Sequence, residues 1–359
     1  RWIVMPRERK ARLERAEMEA IARLGAAECL RSGITTVGDL AFSGASAHAC
    51  DELGLRAIVY LEVFGRDGAA AMRTFADKRA YVERSLSERV RVGVSPHAPY
   101  TCSDDVYRAC RELGLPVATH LNESQDELDW LIRGEGPWQP FADVLPPPGG
   151  QSGIRRLADA GLLDERVVAA HCVKVDADEI DLLARHGVAV AHCPRSNALL
   201  GCGVAPLAAL RAAGLRVGVG TDGVSSVPSH DYFEELRAVV AAARARGEDA
   251  GALSAVEALE LGTLGGARAL GLDGEIGSLV PGKRADLAVV SLADSPYLPW
   301  EDPVAAVVYG GAPERIVATL VDGETRYERG GFEWHELIAA ASAARGRMLR
   351  ARTGATATS

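Results

Sequence analysis

Five apolar segments of this chain each end in a side chain that can bind a metal ion or transfer a proton. The segments VGVSPH, PVATH, VVAAH, VAVAH and VGVGTD end at His97, His120, His171, His192 and Asp222. A single histidine at the end of a strand is more often a structural hydrogen-bonding group than a ligand, so any one of them has an ordinary explanation. Because five groups occupy equivalent positions, we predict that they share one reaction site.

Imidazole and carboxylate groups are suitable ligands for a borderline cation such as zinc. We expect His120 and Asp222 to bind such an ion, and Asp222 to accept a proton from the attacking water, since metal-bound water ionises near neutral pH. Glu123 follows His120 by three residues and is expected to be a proton shuttle. Its alternative role is that of a carboxylate stabilising a helix N-terminus.

Apolar, strand-like runs alternate with amphipathic helical runs between residues 11 and 230, which is typical of βα units around a parallel sheet. The carboxyl ends of such strands meet at one face of a barrel, where active sites lie. The predicted strands are Thr35–Asp39, Arg56–Phe64, Val90–Ser95, Pro116–His120, Arg166–His171, Val188–His192 and Arg216–Thr221. The predicted helices are 11–32, 45–54, 70–88, 103–114, 124–133, 176–186 and 204–213. The predicted fold class is therefore α/β, a TIM-type barrel in which seven strands are visible, one short of the eight of a (β/α)8 barrel.

The rest of the chain predicts a smaller unit beside the barrel. The sequence from Gly134 to Gly153 reads as a long loop at the site, and helices are expected at 231–247 and 254–270. Short strands are expected at Asp286–Leu292 and Ala305–Asp322, and a helix at 332–353. We expect residues 1–272 to form the barrel, 273–330 a small β-sandwich module, and 331–359 a terminal helix and tail.

Composition excludes several partners. The formal net charge of −9 argues against a nucleic-acid or anionic membrane surface, which would favour a basic face. No apolar run is long enough to span a bilayer, and the seven cysteines have no CxxC spacing, which is typical of reduced thiols. We therefore predict a cytoplasmic protein with a small-molecule substrate, and a homodimer is one possible assembly.

The motifs together resemble those of the amidohydrolase superfamily, in the branch of the cytosine, guanine and adenosylhomocysteine deaminases and the triazine chlorohydrolases. The matching stretches are SPHAPYTCS, THLNES, HCVKVD, HCPRSNALLGCG, VGVGTDGVSS and GEIGSLVPGKRADLAVV. The resemblance implies a (β/α)8 barrel, a small β-sandwich and one divalent metal ion, zinc or alternatively iron. It also implies a metal-dependent aminohydrolase that acts on a cyclic amidine C–N bond.

The same resemblance assigns roles to individual residues. It makes His120 and Asp222 metal ligands, Glu123 the proton shuttle, and His171 a catalytic group that hydrogen-bonds the bound water and can also contact the metal. His97 is expected to bind substrate. Three further substrate-binding residues are expected after the strand at 188–192, where a simple turn is an equal alternative: Arg195, Ser196 and Asn197.

The chain departs from the superfamily pattern at one point. Members bring two more ligands in a His-x-His motif at the end of the first barrel strand, and this sequence contains no such motif; its first histidine is His48. We expect the chain to begin downstream of that strand, which leaves a gap between the strands at 35–39 and 216–221. The alternative is a non-catalytic binding scaffold that has lost the metal.

Within this branch the chain most resembles the deaminases of aminodeoxyfutalosine, on the futalosine route to menaquinone. The features are the RWIVMPRERK opening, the LEVFG segment, SPHAPYT, CPRSN followed by LLGCG, and the Pro-rich loop with Trp138. The implied reaction is hydrolytic deamination of an adenine ring in a nucleoside-like substrate. Its carboxylate would need a cation, for which Arg66, Arg133 and Arg195 are the candidates. Deaminases of adenosine, adenosylhomocysteine or guanine, and triazine chlorohydrolases, remain alternatives.

Overall fold

Seven parallel strands form the central sheet of the protein, a computed structural model of which describes residues 13–83, 86–293 and 298–350. Each strand pairs with the next along the chain, so the sheet curls in sequence order. All seven predicted strands are confirmed, with small shifts at their ends. The strands are β1 Thr36–Ala41, β2 Arg56–Val63, β3 Val90–Pro96, β4 Val117–Leu121, β5 Val167–His171, β6 Ala189–His192 and β7 Arg216–Val219.

Helices cover the outside of this sheet, as expected for βα units. They are α1 Arg15–Arg31, α2 Ala45–Leu53, α3 Gly68–Val82, α4 Asp104–Glu112, α5 Gln125–Arg133, α6 Gly153–Asp159, α7 Ala177–Arg185, α8 Pro194–Leu199, α9 Leu207–Ala212, α10 Tyr232–Gly247, α11 Ala255–Glu260 and α12 Gly266–Ala269. Ser103 and Asp176 cap α4 and α7 by accepting hydrogen bonds from Val106 and Glu179 N–H. The short helices α6 and α8 were not predicted: α6 begins at Gly153, where the predicted loop ends, and α8 lies where a turn was the alternative.

The sheet is open between β1 and β7. Within the described residues these two strands are its edges, and no ladder joins them. The gap expected from the seven predicted strands is therefore present. A π-helical turn, Leu261–Gly265, separates α11 from α12 and packs on β7. Glycines permit this approach, since a Cβ on Gly218 would lie 2.8 Å from the Cα of Gly266.

A three-stranded antiparallel sheet, in the order β10–β9–β8, lies beyond the barrel. It consists of β8 Leu287–Val290, β9 Ile316–Val321 and β10 Glu324–Glu328. The expectation of strand from Ala305 was wrong: Pro303–Gly310 is a helix, α13, capped by Asp302. A short apolar run fits a buried helix as well as a strand, and a capping Asp followed by Pro favours the helix.

Buried charges join this sheet to the barrel. Arg56 on β2 donates to both carboxylate oxygens of Asp286 at 2.8 and 3.0 Å, and to Asp322 at 2.7 Å. The Thr319 hydroxyl donates to the carbonyl of Leu30 in α1. The terminal helix α14, Trp334–Arg350, also packs on α1, and Arg347 forms an ion pair there with Glu17.

The interior is apolar. Eight consecutive residues of β2 are buried, because this strand has helices on one face and the barrel interior on the other. All seven cysteines are buried and unpaired, as their spacing predicts. In the described part of the chain, no helix combines the length and apolar character needed to cross a membrane.

Candidate functional site

A cavity of about 1930 Å³ extends from the carboxyl ends of the parallel strands along the open side of the sheet, where residues of α1, β1 and β8 also line it. It is lined by five of the residues that the sequence singled out, namely His97, His120, Glu123, His171 and Asp222. Parallel strands direct the residues at their carboxyl ends to the same face, which brings these groups together. The cavity is therefore the candidate active site.

His97 and His120 form the first part of the site. The backbone N–H and the Nδ1 of His120 both lie 2.9 Å from the carbonyl oxygen of His97. Because Nδ1 must carry its proton to donate to a carbonyl, Nε2 of His120 keeps a lone pair. The two rings lie 4.8 Å apart, and Nδ1 of His97 is 2.8 Å from the hydroxyl of Thr101.

His171 ends β5 with a left-handed backbone, φ 73°, a conformation that is uncommon outside glycine. Its Nδ1 lies 3.0 Å from Oδ1 of Asn197, and both side chains are buried. An amide oxygen accepts a hydrogen bond, so Nδ1 carries the proton and this contact also places the lone pair on Nε2. The rings of His120 and His171 stack at 5.4 Å. Backbone strain of this kind concentrates at functional sites, where it costs of order 1–3 kcal/mol per residue.

The Glu123 carboxylate faces the interior of the site. Its Oε1 is 3.8 Å from Nε2 of His171, and the Cys202 thiol donates to the same oxygen at 3.8 Å. The alternative role of Glu123, stabilising a helix N-terminus, is filled by other residues. The Ser124 hydroxyl caps α5, and the Glu127 carboxylate accepts the N–H of Glu123 at 2.7 Å. Glu123 is thus left to face His171.

Asp222 follows β7 and also has a left-handed backbone, φ 63°. One carboxylate oxygen accepts the Ser196 hydroxyl at 2.6 Å, and the other accepts the N–H of Gly223 at 2.6 Å. Burial raises the pKa of Asp222, but His171, Ser196 and other neighbours outweigh it, so the pKa is lowered overall. The group is held as a carboxylate that can bind a cation or accept a proton.

The remaining predicted residues lie behind the cavity wall. Ser196 and Asn197 contact Asp222 and His171, and the Arg195 guanidinium points away, to Glu234 and to the backbone at Ser229. These three residues are not among those that line the cavity.

The fifth predicted group, His192, is fully buried at the end of β6. Burial and the nearby His171 lower the pKa of His192 to about 4, so its ring is neutral. Among the described residues its Nδ1 has no hydrogen-bond partner. Unlike the other four groups, His192 does not line the cavity.

Two acidic residues of the site were missed. Glu62 is buried near the end of β2 and lines the cavity; its signal is a carboxylate within the apolar run that follows Arg56. Glu127 is completely buried and accepts the N–H groups of Asn122 and Glu123, which fixes the turn that carries the Glu123 side chain. Burial raises the pKa of Glu127 to about 8. The S-x-x-E pattern from Ser124 was the available signal.

The donor chemistry of the site suits a divalent cation. Two imidazoles have their Nδ1 atoms committed to an oxygen, which is the usual arrangement of a metal-binding histidine, and Asp222 adds a carboxylate. The shell is incomplete, however. Within residues 13–83, 86–293 and 298–350, no three His, Cys, Asp or Glu side chains lie close enough to one another to hold a metal ion.

Known proteins resemble this chain over most of its length. The profile described as "Amidohydrolase family" matches residues 4–326. The 5-methylthioadenosine/S-adenosylhomocysteine deaminase of Symbiobacterium thermophilum is 39% identical over 317 residues, which are 85% of this chain and 69% of that protein. The 5'-deoxyadenosine deaminase of Methanothermobacter thermautotrophicus is 32% identical over 345 residues, 93% and 77% of the two chains.

A solved structure also resembles this chain over most of its length. The crystal structure of an adenosine deaminase from Xanthomonas campestris with bound zinc superposes with a TM-score of 0.82 at 30% identity, covering 92% of this chain and 75% of that one. These matches confirm the resemblance indicated by the motifs, the barrel-type fold and the prediction of a hydrolytic enzyme.

Proposed function

Because this chain belongs to the amidohydrolase family, we propose that it catalyses the hydrolytic deamination of the adenine ring in a nucleoside-type substrate. One observation carries the proposal. A carboxylate, Glu123, lies 3.8 Å from the lone-pair nitrogen of His171 in a cavity that also contains His120 and Asp222. Deamination of a ring amidine needs a proton donor to the ring nitrogen and a base for water, and these groups can supply both.

Each side chain has a distinct part in the proposal. Glu123 protonates the ring nitrogen beside the amine-bearing carbon, which makes that carbon more electrophilic. Asp222, a carboxylate at neutral pH, accepts a proton from the attacking water. His171, whose ring is oriented by Asn197 and whose Nε2 carries the lone pair, accepts a hydrogen bond from the attacking water. The amine then leaves as ammonia after it takes up a proton from a protonated carboxyl group, and the hydroxyl proton of the addition product returns to Glu123 as the ring carbonyl forms.

A divalent metal completes the proposal. His120, His171 and Asp222 are its candidate ligands, although in this structure the three side chains do not by themselves lie close enough together to hold an ion; zinc is the favoured ion, with iron as the alternative. When bound, it supplies a water that ionises near neutral pH. The adenosine deaminase of Xanthomonas campestris, which binds zinc, supports this choice. Metal analysis of the purified gene product that contains this chain tests it; no stoichiometric divalent metal would favour a non-catalytic binding scaffold.

The group on the 5' carbon of the nucleoside distinguishes the candidate substrates. The motifs of the sequence favour aminodeoxyfutalosine, in menaquinone biosynthesis, whereas relatives are named for methylthioadenosine, adenosylhomocysteine and 5'-deoxyadenosine. All these compounds carry an adenine ring on a ribose and differ at the 5' carbon. The deamination chemistry proposed for Glu123 is the same for each of them.

Ammonia release tests the function directly. The gene product is supplied with adenosine, 5'-methylthioadenosine, 5'-deoxyadenosine, adenosylhomocysteine and aminodeoxyfutalosine, and with guanine and a chlorotriazine as controls of other ring type. We expect turnover of at least one adenine nucleoside, with loss of the adenine absorbance. Turnover of guanine or the chlorotriazine alone would contradict the proposal. It would indicate a guanine deaminase or a triazine chlorohydrolase of the same branch instead.

A further inference from the structure

An aromatic wall borders the cavity on one side of the predicted catalytic residues. It consists of Tyr100, Trp138, Phe141 and Leu145, all of which line the cavity. The rings of Tyr100 and Trp138 lie 4.3 Å apart. Trp138 and Leu145 pack on a separate buried cluster that includes Tyr100 and Trp130. The side chains of the wall are therefore supported by a buried apolar cluster directly behind them.

Several hydrogen bonds hold the loop that carries three of these residues. One guanidinium nitrogen of Arg66 donates to the carbonyls of Ala142 and Leu145. The indole of Trp130 donates to the carbonyl of Pro146 at 3.3 Å, and the N–H of Gly149 to a carbonyl of α5 at 2.9 Å. A pre-ordered apolar surface binds a ligand without an ordering cost, so the wall is suited to contact part of a substrate.

The wall is directly connected to the reaction centre. The ring of Tyr100 lies 5.7 Å from that of His97, and His97 lies 4.8 Å from His120. His97 therefore lies next to both the wall and His120, the group predicted to bind the metal. A substrate whose adenine ring lies beside His120 and Glu123 can therefore place another part of the same molecule against Trp138.

The charges around the cavity disfavour an anionic substituent on the substrate. Among the described residues, no Arg or Lys lines the cavity. Arg66 is engaged by the loop carbonyls, Arg133 by Asp129 and Glu135, and Arg195 by Glu234. The acidic residues that line it are Glu28, Asp39, Glu62, Glu123, Asp126, Asp222 and Asp286. An anionic group at the wall would therefore lose its water with no Arg or Lys side chain among the described cavity residues to replace it.

We propose that the aromatic wall is a subsite for an uncharged, apolar substituent on the 5' carbon of the nucleoside, such as an alkylthio group, and that Trp138 determines the preference for it. The proposal rests on the function proposed above and narrows its substrate class. Aromatic side chains bind thioether and alkyl groups by dispersion and by burial of apolar surface, which an anionic tail cannot exploit.

The test compares kcat/KM for 5'-methylthioadenosine, adenosine and aminodeoxyfutalosine. These substrates share the adenine and ribose groups and present an apolar, a hydroxyl and an anionic 5' side respectively. The gene product that contains this chain is compared with Trp138→Ala and Trp138→Phe. Trp300→Ala is the matched control, because Trp300 is 38% exposed and lies outside the wall.

We expect the unmodified protein to prefer 5'-methylthioadenosine over adenosine by about tenfold or more, the range of a small apolar group in an apolar pocket. Trp138→Ala should lower this ratio about tenfold through a higher KM for the apolar substrate, whereas Trp138→Phe and Trp300→Ala should keep it. An unchanged ratio in Trp138→Ala, or aminodeoxyfutalosine as the preferred substrate, would overturn the subsite.

The two proposals fail in different ways. If adenosine is deaminated but the ratio does not depend on Trp138, only the subsite is wrong. If no adenine nucleoside is deaminated, the proposed function is wrong, and equilibrium binding of 5'-methylthioadenosine and adenosine to the same four proteins decides the subsite by itself. Weaker binding of the methylthio compound to Trp138→Ala alone supports it, and equal binding to all four overturns it.

Discussion

The hydrogen bond between Asn197 and His171 gives a prediction whose size can be derived from the structure. Its two atoms lie 3.0 Å apart, and each residue is 1% exposed, so water cannot readily replace a lost partner. In Asn197→Ala the imidazole loses the acceptor that fixes its proton on Nδ1 and its orientation towards Glu123. Removal of such a partner from a metal-binding histidine typically costs about 10–100-fold in metal affinity or activity, which is the loss of kcat/KM we expect.

Asn197→Asp is the matched control, since it keeps an oxygen acceptor at the same position. Both variants are assayed by ammonia release from the best nucleoside substrate, and their folding is compared by thermal unfolding. We expect Asn197→Asp to retain most of the activity that Asn197→Ala loses. Equal activity of Asn197→Ala and the unmodified protein, at equal stability, would refute the positioning role. Equal losses in both variants would show that the acceptor is not what matters.

Two further predictions concern stability. Arg56→Met leaves the carboxylate of Asp286, which is 1% exposed, without its cation, so the free energy of unfolding in urea should fall by about 3–5 kcal/mol. Arg284→Met, at an exposed position, is the control and should lower the free energy of unfolding by less than about 1 kcal/mol. Equal losses in the two variants would contradict the role of the buried pair. Hydrogen bonds from Ser254 lower the pKa of Glu257 to about 2, so Glu257 stabilises the fold above its usual pKa of 4.5 and loses this contribution as the pH falls through 2. The stability difference between the protein and Glu257→Gln should therefore shrink in acid, and a difference that grows would contradict this assignment.

The sequence alone was sufficient to predict the parallel sheet and five of the residues that line the cavity. Buried parallel strands are continuous apolar runs, so their ends are visible, and the groups that follow them must lie at one face. His120, Glu123, His171 and Asp222 were found in this way. The helix at Pro303–Gly310 was not, because a short apolar run does not distinguish a helix from a strand without its cap.

Side-chain direction was not predictable from the same patterns. Arg195, Ser196 and Asn197 are consecutive, yet the first points to Glu234 while the others contact Asp222 and His171. Residues on one helical turn face different neighbours, and only the packed structure determines which. The same holds for Arg66, whose guanidinium is engaged by the carbonyls of the Pro-rich loop.

The central claim is that Glu123 transfers protons in the deamination of an adenine nucleoside, and Glu123→Gln tests it most directly. Glutamine keeps the size and hydrogen-bonding capacity of the side chain but cannot exchange a proton. We predict that kcat for the best nucleoside falls by about 10²–10⁴-fold while the nucleoside still binds. Deamination by Glu123→Gln at the rate of the unmodified protein would contradict the account.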